Sequence, residues 1–180
     1  AEQQILLRSL ADLQPAVDIL LVDSTLDHPL GFSPLGLAAD EAVVIISPQG
    51  PVITEAYALI KKVSLGYARR HFRILLNRTR SAEEAQAIYR NIAEVTHSRG
   101  LARLDYAGHV PLDDRLHQSS HLCQPVVCLF PESPAARAYQ ALADELLAWP
   151  INHEVNGGLE QFMQQLLHLS QRIDPIAIYA

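Results

Sequence analysis

Apolar and polar positions follow two rhythms along these 180 residues. Four short runs are apolar at nearly every position and rich in β-branched residues: 17–23 (VDILLVD), 42–47 (AVVIIS), 72–77 (FRILLN) and, more weakly, 104–110 (LDYAGHV). Around them apolar residues recur every three or four positions, predicting helices over 2–13, 52–68, 81–98 and 133–149. In the third of these, Ala85, Ile88, Ile92 and Val95 share a face. Ser81 with Glu84 forms a capping box, Gly100 stands just past the helix end, and Ser133-Pro134 pairs an N-cap with an N1 proline. Strands apolar throughout and separated by helices imply an α/β fold, with a mostly parallel sheet covered on both faces. Right-handed crossovers bring the carboxyl ends of such strands to one edge, where open α/β sheets hold their ligands. Asp23, Ser47, Asn77 and the GHVP turn (108–111) are expected there.

Beyond Trp149-Pro150, INHEVNGG (151–158) lacks periodicity and reads as a linker. A last helix is predicted over 159–173, with Leu159, Phe162, Met163, Leu166, Leu167, Ser170 and Ile173 on one face. Such a stripe docks on its own domain or lies on a membrane surface. Its polar face is mostly glutamine, with Arg172 its basic residue, which is poor in the charge that interfacial helices carry.

Composition narrows the reading. A chain with 49% hydrophobic residues is long enough to bury a core, and a net charge of −6 argues against a nucleic-acid footprint. Cys123 and Cys128 cannot frame a disulfide scaffold, which fits reduced thiols in a cytoplasmic protein. Cys128, within PVVCLF, is expected to be a buried small hydrophobe. His117 and His121, with these cysteines, have a spacing that can bind zinc, but the apolar run around Cys128 argues against a shared metal. Ser119 and Ser120 lie in no G-x-S-x-G elbow, so a serine nucleophile is not indicated.

An acid closing an apolar strand, as Asp23 does, is also where phosphate-binding folds manage Mg²⁺. Such a fold needs a glycine-rich loop ending in lysine, yet Lys61 and Lys62 are the only lysines and sit inside a helical pattern. No GxxxxGK[ST] or GxGxxG is present. The chain begins at Ala1, and a loop upstream of it is the expected explanation.

Four stretches, ITEAYALIKKV (53–63), HFRILLNRTRS (71–81), YAGHVPLDDRLHQS (106–119) and QPVVCLFPESPAARAYQALA (124–143), come in a telling order and spacing. Together they resemble the MinD/ParA-type deviant-Walker ATPases, and among these the branch that controls bacterial flagellar number and placement. The likeness spans about 1–150 and implies the later part of a nucleotide-binding domain, P-loop NTPase-like, with its first strands upstream. By resemblance, Asp23 is the Walker-B-type acid that holds Mg²⁺ through water, and Asn77 reads the adenine edge. Val110 and Pro111, with Asp113 just after, pack beside base and ribose, and Pro48 belongs to a loop (47–52) that helps enclose the nucleotide. After Asp23 the family carries a glycine-bearing switch, where this chain has Ser24-Thr25-Leu26-Asp27-His28. The implied cofactors are ATP and Mg²⁺ in a full-length protein, since the residues present here would not hydrolyse ATP alone. The implied cycle is ATP-driven homodimerisation with association of the last helix at the inner membrane face. Implied partners are a flagellar GTPase, flagellar switch proteins or a transcriptional activator. A degenerate, nucleotide-free relative acting as a protein-interaction module is the alternative, favoured by the altered stretch 24–30.

Overall fold

A computed structural model describes residues 19–24, 34–149 and 159–172. The chain divides into two compact units, 43–150 and a second made of 1–42 with 151–180.

The larger unit is built on three parallel strands, β1 (Val43–Ile46), β2 (His71–Thr79) and β3 (Arg103–Pro111), in the order β1-β2-β3. The crossovers are α2 (Gly50–Tyr67) and α3 (Ala82–Ser98). Strand β3 is followed by α4 (Asp114–His121), the single turn α5 (Val126–Leu129) and α6 (Pro134–Leu147). The α/β class expected from the two rhythms is the observed one.

The helix ends follow the sequence signals. Ser81 Oγ accepts the Glu84 N–H at 3.2 Å, while the Glu84 carboxylate reaches back to the Arg80 N–H at 2.6 Å. At the other end of α3, Gly100 (φ +62) donates to His97 O and Leu101 N–H to Thr96 O, a Schellman closure. Ser133 Oγ caps α6 by accepting from Ala136 N–H. The buried face of α3 is Ala85, Ile92 and Thr96; Ile88 is half-buried and Val95 is 43% exposed. The stripe is thus turned by about one residue from the expected one.

Helices lie on both faces of the sheet. Ile74 stands beside Tyr106 in register, and the Tyr106 ring meets Tyr89 of α3 with centroids 5.2 Å apart. That face therefore carries the buried side chains Phe72, Ile74 and Leu76 beneath the crossover helices. Arg73 points the other way, and its guanidinium lies 4.1 Å from the centroid of the Trp149 ring, just past α6. Helix α6 packs on β3, where the Leu142 side chain approaches Gly108 so closely that a Cβ there would sit 2.8 Å from Leu142 Cδ2. Gly108 (φ +130) follows a bulge, because Ile74 pairs with Tyr106 and Leu75 with Gly108, leaving Ala107 over. Arg103 N–H bonds Arg70 O of the β2 entry, so the Leu104 carbonyl faces away from β2; it accepts the Tyr89 hydroxyl at 2.9 Å.

In the smaller unit, α1 (Pro34–Ala38) packs against α7 (Leu159–Arg172). Phe162 is buried, Met163 and Leu166 are half-buried, and Leu167 is exposed. The apolar stripe is therefore partly used inside the protein.

Three expectations are corrected. Residues 19–24 form no strand, and Ile19, Leu20 and Leu21 are exposed: an apolar run supplies strand propensity, but a strand also needs a ladder partner. The stretch 108–111 is not a turn, because β3 continues through its bulge to Pro111. Cys128 is exposed rather than buried, since PVVCLF winds into the single turn α5 and presents Val126, not Cys128, to the core. The predicted helix 2–13 and the linker 151–158 lie outside the described residues.

Candidate functional site

The carboxyl ends of β1, β2 and β3 deliver Ser47, Asn77 and Val110 to one edge, as parallel pairing requires. Leu76 is in register with Ile46, and Asn77 with Val110. Beyond Asn77 the strand breaks step: Arg78 is left-handed at φ +60, and Thr79 pairs with Pro111. The Leu112 N–H then closes on Thr79 O at 2.8 Å. A non-glycine residue in this backbone region costs about 1–3 kcal/mol and tends to accumulate at functional positions.

Two polar atoms at this bulge are shielded from solvent without a hydrogen-bond partner, Asn77 Oδ1 and Thr79 Oγ1. An unpaired buried acceptor costs about 1–3 kcal/mol, so the fold itself gives no reason for an amide at position 77. At the end of β1, the Ser47 hydroxyl bonds the Gln49 side chain, and Pro48 lies between them before α2 begins at Gly50.

Asp113 is engaged differently. One carboxylate oxygen accepts the Arg115 N–H at 2.8 Å and caps α4; the other accepts the Ala135 N–H at 2.9 Å, in the first turn of α6. Burial pushes the Asp113 carboxyl up. Hydrogen bonds from the Ala135 and Arg115 amides, the Ser133 hydroxyl and the Leu116 amide outweigh this and leave it below its ordinary value. Its charge thus fastens two helix starts next to the Val110-Pro111 segment. The Asp-Asp before a polar helical run signals an N-cap in sequence; nothing there signals the second helix.

The remaining predicted positions divide. Asp23 is exposed and belongs to the smaller unit, as do Leu159, Phe162, Met163, Leu166 and Leu167. The hydroxyls of Ser119 and Ser120 both donate to Leu116 O, so each is occupied within its own helix. The His117 and His121 rings stack edge to face, 4.5 Å apart. Lys61 and Lys62 sit within α2, away from any glycine-rich turn.

No family model matches this chain. A curated relative does, at 29% identity over 162 residues, and it is named antiactivator FleN, from Pseudomonas aeruginosa PAO1. The resemblance is to FleN. It covers 90% of this chain but 58% of FleN, so the chain spans well under two thirds of that relative's length. The match agrees with the flagellar-number branch of the MinD/ParA ATPases, to which the four sequence stretches are similar. Among the described residues no helix is long and apolar enough to cross a membrane.

Proposed function

We propose that this chain carries the base-reading part of a MinD/ParA-type ATPase that regulates flagellar number and placement. The observation that carries the reading is Asn77: an amide oxygen with no partner in the fold, set by a left-handed residue at the carboxyl edge of a parallel sheet, opposite Val110. The FleN match over most of the chain supports the same assignment.

The residues fit the base side of ATP. Asn77 would hydrogen-bond the adenine edge, Val110 and Pro111 would pack beside base and ribose, and Pro48 would border the opposite side. The Asp113 carboxylate, being engaged by two helix starts, would position this segment rather than bind sugar itself. Asp23 would hold Mg²⁺ through water. Mg-ATP, when bound, supplies the terminal phosphate whose presence favours a homodimer, and catalysis in such systems is positioning plus charge stabilisation. The name antiactivator makes a transcriptional activator the first partner to consider, ahead of a flagellar GTPase or switch proteins. Membrane association through α7 would have to release Phe162, which is buried. Removing the last ~25 residues should then abolish co-sedimentation with anionic liposomes.

The deciding experiment is equilibrium binding of a fluorescent ATP analogue with Mg²⁺ to the protein made from its natural gene. Tight binding that Asn77→Ala weakens roughly tenfold or more, with the melting temperature unchanged, supports the reading. Absence of binding would favour the nucleotide-free interaction module, for which the glycine-poor stretch after Asp23 speaks.

A further inference from the structure

The edge of the sheet away from Asn77 presents a different surface. Tyr57, Lys61 and Leu65 stand at intervals of four on α2 and so share one helical face. The Arg99 guanidinium, from the end of α3, lies 5.9 Å from the Tyr57 ring centroid. Arg70, entering β2, donates from Nη1 at 3.3 Å to the carbonyl of Gly100, the residue that follows Arg99. Lys61, Arg70 and Arg99 are all exposed, and none of them meets a carboxylate among the described residues. Leu65 is 66% exposed, and the Tyr57 hydroxyl, shielded from solvent, has no partner.

Cations at helix ends ordinarily offset the macrodipole, equivalent to about half a negative charge per helix. That accounts for part of the charge here. It gives no reason for a cation one and a half turns inside α2, nor for a leucine left exposed one turn further along the same face.

We propose that the Tyr57–Lys61–Leu65 stripe, framed by Arg70 and Arg99, docks an acidic, leucine-bearing segment of a partner protein. Guanidinium forks take carboxylates in a bidentate manner, and Leu65 supplies the apolar contact that fixes register. A nucleic acid is disfavoured by the net charge of −6 and the small extent of the basic surface. A lipid surface is disfavoured because the loop residues following Gly100, Leu101 and Ala102, are buried instead of available for insertion.

The test is fluorescence anisotropy of the full chain with a labelled helical peptide bearing glutamates on one side and two leucines one turn apart. Binding should weaken as salt rises, and roughly tenfold in K61E/R99E. L65Q should lower affinity several-fold with less change in salt dependence, and a Glu→Gln version of the peptide should fail to bind. Far-UV circular dichroism confirms folding, and K61Q/R99Q replaces the charge reversal if that variant does not fold. No binding of the acidic peptide, or equal binding by the variants, overturns the proposal. So does stronger binding to phosphatidylserine vesicles or to a short DNA duplex.

Discussion

Replacing Asp113 by alanine removes, with one side chain, the caps of two helices. Each lost cap is worth about 1 kcal/mol, and the charge facing two helix starts adds a few tenths to 1 kcal/mol for each. Both acceptor distances, 2.8 and 2.9 Å, are those of well-made bonds. Ser133 still caps α6 through Ala136, which limits the damage there. The expected loss is therefore about 2–3 kcal/mol, or a melting temperature lower by about 10 °C for a unit of this size. Asp113→Asn keeps one oxygen and no charge, and should recover about half of the loss. The pH dependence follows from the lowered carboxyl of the folded state. The contribution is complete above the unfolded value of about 3.9 and is lost as pH falls through the lower, folded one. Urea denaturation of wild type and both variants, from neutral pH to about pH 2.5, measures the gap. It should be widest at neutral pH and close below about pH 4. A neutral-pH gap under about 0.5 kcal/mol, or one that ignores acidification, would refute the two-helix role.

Gly108→Ala should cost about 2–4 kcal/mol, combining a left-side φ of +130 with a Cβ set 2.8 Å from Leu142 Cδ2. In a Leu142→Ala background the clash disappears and the cost should drop by about 1 kcal/mol, read by a double-mutant cycle in urea. Asp105 accepts His71 Nε2 at 2.8 Å and Arg103 Nε at 3.0 Å; burial pushes its carboxyl up, but these two partners hold it below the ordinary value. Asp105→Asn should therefore cost up to about 1 kcal/mol at pH 7, and the difference from wild type should fade on acidification through the folded carboxyl's range. A gap that instead grows in acid would contradict that ordering.

How much of the fold is legible in the sequence follows from how local each signal is. The strands β1 and β2 and the ends of α3 and α6 are encoded by adjacent residues: an apolar run, a Ser with a Glu three positions on, a Gly past the last turn. Strand propensity at 17–23 is equally local, yet residues 19–24 are irregular, because pairing depends on a neighbour that no run of apolar residues specifies. Cys128 lies outside the core for a related reason, since its surroundings depend on whether six residues extend or coil. Asn77, Pro48, Val110 and Pro111 were reached through strand ends and family likeness, and parallel pairing does set their strands' ends on one edge. The left-handed Arg78 and the second bond of Asp113 were invisible, for both arise from contacts with chain more than ten positions away.

The Tyr89 hydroxyl, spent on the outward carbonyl of Leu104, carries a consequence for solubility. Strand β3 is nine residues long and last in the sheet among the described residues, so its outer side would otherwise offer a regular row of amides and carbonyls to another chain. One acceptor in that row is already occupied by a side chain from the protein's own crossover helix, and the Ala107 bulge puts the positions beyond it out of step. A foreign strand arriving there would have to displace a phenol and accept a broken register. Tyr89→Phe keeps the ring against Tyr106 but uncovers the carbonyl. It should leave the melting temperature within a few degrees of wild type, since one half-buried bond is worth about 1 kcal/mol, while light scattering of a concentrated solution rises faster on warming. That pair of outcomes would show a tyrosine that contributes less to holding the fold together than to keeping copies of it apart.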